Sequence, residues 1–146
     1  MQGDPSEAAK SRKPLSFRVR TETSDRLERF AKEVGETQTA LVERYVEEGL
    51  RMDVHPLIHF RDGFGGRRPA LLATRLDVWQ VVETIRQNDR SVEAAAEYLE
   101  IPVEHVRACL RYYADFQDEI DEWVARAQAI EAREEANWRR QQELLG

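Results

Sequence analysis

Residues 15–21 read L-S-F-R-V-R-T, a strict alternation that puts Leu15, Phe17 and Val19 on one side and Ser16, Arg18 and Arg20 on the other. Alternation with period two marks a half-buried β-strand. The sequence that follows is helical, so this strand has no neighbour of its own kind nearby. Its backbone N–H and C=O groups need partners, and the simplest partner is the same strand of a second copy. Such a two-chain ribbon would show Ser16, Arg18 and Arg20 twice on one face. A ribbon of that width fits the DNA major groove, where arginine is the commonest reader of guanine.

The segments after the strand are short, periodic and capped. Thr23 or Ser24 is expected to cap a helix whose apolar face is Leu27, Phe30, Ala31 and Val34, spaced i, i+3, i+4, i+7, with Gly35 closing it. Thr37 offers a second cap, followed by an inner face of Leu41, Val42, Tyr45, Val46 and Leu50 and an end near Met52. A strand and two helices in about 40 residues seldom bury enough surface to fold alone, so dimerisation is expected.

S-F-R-V-R-T, the capped helix, and G-E-T-Q-T-A-L-V-E-R-Y-V-E-E-G-L together resemble the ribbon-helix-helix domain of the Arc/MetJ class of bacterial repressors, over residues 15–52. The resemblance implies that Ser16, Arg18 and Arg20 read bases. It also implies that Thr37, Gln38 and Thr39 grip phosphates at a helix N-terminus, where free N–H groups and the dipole favour an anion. Glu36 departs from the pattern by placing a negative charge beside that grip.

Net charge is −6, which at first sight argues against a nucleic-acid partner. The distribution reverses the inference. Residues 1–21 carry five bases against two acids, residues 61–75 carry four against one, and the remainder is acidic. Residues 1–14 lack apolar period and are read as a disordered basic arm, with Lys10, Arg12 and Lys13 within reach of phosphates.

Val54–Asp62 and the apolar run after Arg67 flank Gly63, Gly65 and Gly66, a hairpin signal. Its four arginines, 61, 67, 68 and 75, suit either phosphate contact or a solvated turn. Three helices are then expected. Their inner faces are Val78, Val81, Val82 and Ile85; then Val92, Ala95, Ala96 and Leu99 after a cap at Ser91; then Val103, Val106, Leu110 and Tyr113 after Pro102. The last two, joined by a three-residue turn at Glu100–Pro102, look like a helix-turn-helix. The exposed face of the second, with Glu104, His105, Arg107 and Arg111, is mixed in charge and better suited to protein packing than to DNA.

H-P-L-I-H-F-R-D-G, G-R-R-P-A-L, S-V-E-A-A-A-E-Y-L and V-R-A-C-L-R-Y-Y-A-D-F-Q-D-E-I-D, between His55 and Asp121, resemble a small antitoxin domain of the Trp-repressor-like group, a domain long catalogued as of unknown function. Members accompany toxins of a PIN-like ribonuclease type. Glu100 stands where that helix-turn-helix bend usually has a small residue.

No Pro or Gly interrupts residues 115–145, so a long helix is expected, with a sparse stripe of Phe116, Ile120, Trp123, Val124, Ala127, Ile130 and Trp138. Tryptophan standing out on a charged helix needs a partner, and Trp and Arg are favoured at binding hot spots. Trp123, Arg126, Ile130, Arg133, Trp138, Arg139 and Arg140 are therefore the expected toxin-binding residues, the arginines being complementary to the acidic metal centre of a PIN-like toxin.

The expectation is a mainly α protein with four parts. They are a basic arm at 1–14, a ribbon-helix-helix dimerisation domain at 15–53, a β-hairpin and helix-turn-helix domain at 54–115, and a helical tail at 116–146. The implied function is that of an antitoxin, a homodimer that binds operator DNA and restrains a toxin. A free-standing ribbon-helix-helix regulator is the alternative. No run of apolar residues is long enough for a membrane span and no secretory leader pattern is present, so the cytoplasm is expected. One cysteine, Cys109, excludes an internal disulfide and reads as a small buried hydrophobe. Asp115, Asp118 and Asp121 read as a solvated helix face and the three histidines are scattered, so neither catalysis nor a metal or cofactor is expected.

Overall fold

The computed structural model describes residues 11–63 and 65–146. It is mainly helical, with one antiparallel hairpin in the middle of the chain. In order, α1 is Thr21–Val34, α2 Gln38–Val54, β1 Ile58–Gly63 and β2 Gly66–Leu71. Then follow α3 Val78–Gln87, α4 Val92–Leu99, α5 Val103–Asp115 and α6 Gln117–Leu145. The chain divides into two units, one up to Arg44 and one from Tyr45 onward, with α2 running from the first into the second.

The strand expected over Leu15–Thr21 does not form in the single chain. Residues 11–20 carry no ladder, and the described strands come only after two helices. No strand among the described residues offers these backbone groups a partner, and an unpaired strand has nothing to hold it in a ladder. Thr21 is already helical, because α1 starts after an extended Arg20 (φ −60°, ψ 145°) with Glu22 in its first turn. The expected caps Thr23 and Ser24 therefore lie inside the helix. At the other end Gly35 adopts φ 70°, the left-handed cap that glycine takes without a Cβ penalty.

Thr37 does cap α2, its Oγ1 accepting from the Ala40 N–H at 3.1 Å. The helix runs two residues past Met52, to Val54, and its last turn closes on His55 N–H to Arg51 O at 2.8 Å. Pro56 then ends it, since the residue before proline is pushed out of helical geometry.

The second unit owns a continuous core. β1 and β2 pair in the register Ile58↔Leu71, Arg61↔Arg68 and Gly63↔Gly66. Ile58 and Leu71 meet Val78, Val81, Val82 and Ile85 of α3, Ala95 and Ala96 of α4, Val106, Cys109 and Tyr112 of α5, and Ile120 of α6. Ser91 caps α4, accepting from Ala94 N–H at 3.0 Å. One expected face is rotated. On α5 the buried residues are Val106, Ala108, Cys109 and Tyr112, while Leu110 is exposed. Apolar residues on both sides of that helix made either rotation self-consistent. Burial raises the Cys109 thiol to about 12, so it stays neutral and inert.

Candidate nucleic-acid and partner-binding surfaces

The first unit has almost no interior. Among its described residues only Ala31 and Leu41 are buried. Leu15, Phe17 and Val19 are 73%, 63% and 59% exposed, and Phe30 and Val34 also face outward. Ser16, Arg18 and Arg20 are exposed too, so the alternation is preserved as sequence while both of its sides meet solvent. Thr37, Gln38 and Thr39 sit exposed at the start of α2. Glu36, the departure beside that helix end, is offset by Arg44 at 3.7 Å.

Along the second half of α2 the usual burial is inverted. Glu48 and His55 are buried at 8% and Arg51 is half-buried, whereas Val46, Leu50 and Val54 are 44%, 61% and 70% exposed. Glu48, Arg51 and His55 follow i, i+3, i+7 and form one face. Each finds a charged or polar partner within the second unit. Glu48 accepts a fork from Arg67 of β2, Nε to Oε2 at 2.6 Å and Nη2 to Oε1 at 2.7 Å. Arg51 donates to Glu119 of α6 and, at 2.7 Å, to the Tyr112 hydroxyl, and its guanidinium lies 3.9 Å from the Phe116 ring centre. His55 Nε2 meets Asp115 at 2.8 Å, with its ring edge-on to Tyr112.

These contacts set the protonation states. Burial opposes the Arg51 charge, but the hydrogen bonds it donates to Glu119, Glu47 and Tyr112 outweigh it and hold its pKa above the ordinary value. Burial, then the nearby Glu119 charge, push the Tyr112 phenol above its usual range. The hydrogen bonds to Glu48 raise Arg67. Arg51, Arg67 and Tyr112 therefore each keep one protonation state across physiological pH.

Of the four hairpin arginines, 61, 67 and 68 pair with carboxylates of their own chain, while Arg75 is exposed. Arg61 and Arg68 are directly opposed across the strands and would repel, were Asp77 not between them. Arg61 Nη2 reaches Asp77 Oδ1 and Arg68 Nε reaches Oδ2, each at 2.7 Å, and Trp79 Nε1 donates to the same carboxylate at 3.2 Å. Gly63 lets the Arg68 guanidinium cross the turn, since a Cβ there would stand 1.9 Å from Nη1. Arg67 goes to Glu48. The positive patch seen in the sequence is thus largely spent on internal carboxylates.

On α5, Arg107 pairs with Glu93 at 3.3 Å and with Glu104 at 3.9 Å. Glu100, in the bend before it, takes the left-handed conformation at φ 56°. Asp115 faces His55, Asp121 accepts from Tyr113 at 2.7 Å, and Asp118 is exposed. The Tyr113 hydrogen bond, helped by Arg86, holds the Asp121 carboxyl below its usual range.

The tail forms the long helix expected, α6, about 43 Å at 1.5 Å per residue. Its stripe changes character along its length. Ile120 and Val124 are buried and Trp123 is half-buried, its ring 3.5 Å from where a Cβ on Gly65 would sit. From Gln128 onward every residue is exposed, including Ile130, Trp138, Leu144 and Leu145. Arg126 is held by Glu122 at 2.6 Å and lies over Trp123, and Arg139 is held by Glu135 at 2.5 Å. Arg133 and Arg140 are exposed and, among the described residues, form no ion pair.

Sequence reasoning missed the Glu48–Arg51–His55 face. The signal was present, because polar residues at helical spacing opposite an apolar stripe require acids and bases elsewhere to meet them. What it could not supply was which of many charged residues those were.

Residues 58–113, from β1 into the last turn of α5, match the family described as a protein of unknown function, DUF433. No curated protein and no solved structure matches the chain. Among the described residues, no helix is long and apolar enough to cross a membrane.

Proposed function

We propose that the protein is the antitoxin of a type II toxin–antitoxin pair, working as a homodimer. Residues 15–20 of two copies pair as the ribbon of a ribbon-helix-helix domain, with Ser16, Arg18 and Arg20 toward operator bases and Thr37, Gln38 and Thr39 toward phosphates. The observation that carries the dimer is the inverted burial of α2 together with the coreless first unit. Val46, Leu50 and Val54 face solvent while Glu48 and His55 are inside, an arrangement that wastes apolar surface unless a partner covers it.

The distal half of α6 is the candidate toxin-binding segment. Its 18 helical residues from Gln128 to Leu145 are all exposed, and Trp138, Leu144 and Leu145 give it an anchor for another protein's groove. Since Trp123 already packs on its own hairpin turn and Arg126 and Arg139 are paired, Arg133 and Arg140 are the arginines best placed to enter an acidic nuclease centre. They lie seven residues apart, on one edge of the helix. The toxin's PIN-like character rests on the resemblance of residues 55–121.

The test is to read the neighbouring reading frames for a small nuclease and to co-express it with this chain; the absence of such a frame would count against the antitoxin reading. The full chain should rescue growth and co-purify with the nuclease. Trp138→Ala with Arg133→Ala should weaken capture ~100-fold or more, as hot-spot residues do. Capture unaffected by that pair would remove the tail from the toxin contact. A chain that binds DNA and has no effect on the nuclease would favour the free-standing regulator.

A further inference from the structure

One contact in the first unit concerns how DNA engagement would be held in check. Arg12 Nη1 meets Glu43 Oε2 at 2.7 Å, across 31 residues of sequence. Between them the segment 11–20 carries Arg12, Lys13, Arg18 and Arg20 and no acid. Glu43 stands one helical turn after Thr39 and on the same side of α2, so it lies about 6 Å along the axis from the helix end proposed to grip phosphate. Arg12 is therefore stored beside that path, bound to a carboxylate in the way it would be bound to a phosphate oxygen.

We propose that Glu43 is a phosphate stand-in. It occupies Arg12 in the free protein and must be displaced when DNA binds, so that Arg12 gives one phosphate contact at the cost of one ion pair. The inference rests on the DNA reading above and adds to it a built-in brake on sequence-independent binding. Because both side chains are well exposed, at 76% and 57%, the brake is modest and fades as salt rises.

The test uses the full chain and a short random-sequence DNA duplex, with affinity measured against salt concentration. Glu43→Gln should tighten binding at low salt by roughly two- to fivefold. Arg12→Ala should reduce the slope of log affinity on log salt by about 0.9, the loss of one phosphate contact. In the Arg12→Ala background Glu43→Gln should bring no gain beyond measurement error. An equal gain in both backgrounds would make Glu43 a bulk-charge effect and overturn the proposal, as would no gain in either. If the unsubstituted chain bound no duplex at any salt, the DNA reading itself would fall, an outcome distinct from both.

Discussion

The two units of this chain bury apolar residues to very different degrees. From Tyr45 onward, twelve buried residues from the hairpin and four helices form one continuous cluster. Up to Arg44, only Ala31 and Leu41 among the described residues are buried, while Leu15, Phe17, Val19, Phe30 and Val34 remain outside. A domain gains stability from apolar surface removed from water, at about 25 cal/mol per Å². The second unit therefore has its own source of stability and the first has to borrow one. This asymmetry separates a unit with a core of its own from an N-terminal unit almost without one.

The comparison is tested first where its predicted effect is largest. Ile120 is fully buried in the second unit's cluster, so Ile120→Ala should cost about 2–5 kcal/mol, read as a shift in the denaturation midpoint. The smaller effect concerns a bend inside the same unit. Glu100 holds φ 56° with a Cβ present. Glu100→Gly relieves the left-handed conformation and should stabilise by ~0.5–1 kcal/mol, after the extra entropy glycine brings to the unfolded chain. A neutral or destabilising result would show that the Glu100 side chain contributes more than its backbone costs. Neither substitution should alter dimerisation if the two units depend on separate sources of stability.

Much of the architecture was legible in sequence, for reasons that differ by element. The helices α3 and α4 were readable because Val78, Val81, Val82 and Ile85, and then Ala95 and Ala96, bury on the single face their spacing implies. Gly35, Thr37 and Ser91 marked helix ends because left-handed geometry and side-chain capping favour those residue types. The hairpin was readable from its glycines, yet the role of its arginines was not. Charge alone cannot say whether Arg61, Arg67 and Arg68 meet a phosphate or meet Asp77 and Glu48, since those acids lie up to 19 residues away. Leu110, expected inside, is exposed and Tyr112 is buried because α5 has apolar residues on more than one side. The strand expected at 15–21 failed for a different reason: alternation does not supply a neighbouring strand, and among the described residues none pairs with it. Apart from the half-buried Trp123, the candidate DNA and toxin residues are exposed side chains, whose spacing is readable and whose ligands are not.

The proposed function depends on the pairing of two copies. Sedimentation equilibrium of the full chain across concentration tests it directly, with Phe17→Asp alongside. Phe17 is 63% exposed in the single chain, so the substitution costs the lone fold little, while removing a buried aromatic from each half of a dimer. The account predicts a dimer at micromolar concentration and, for Phe17→Asp, a dissociation constant raised about a hundredfold or more, with the second unit still folded by circular dichroism. A chain that sediments as a monomer at every concentration, or a Phe17→Asp variant that dimerises as tightly as its parent, would contradict it.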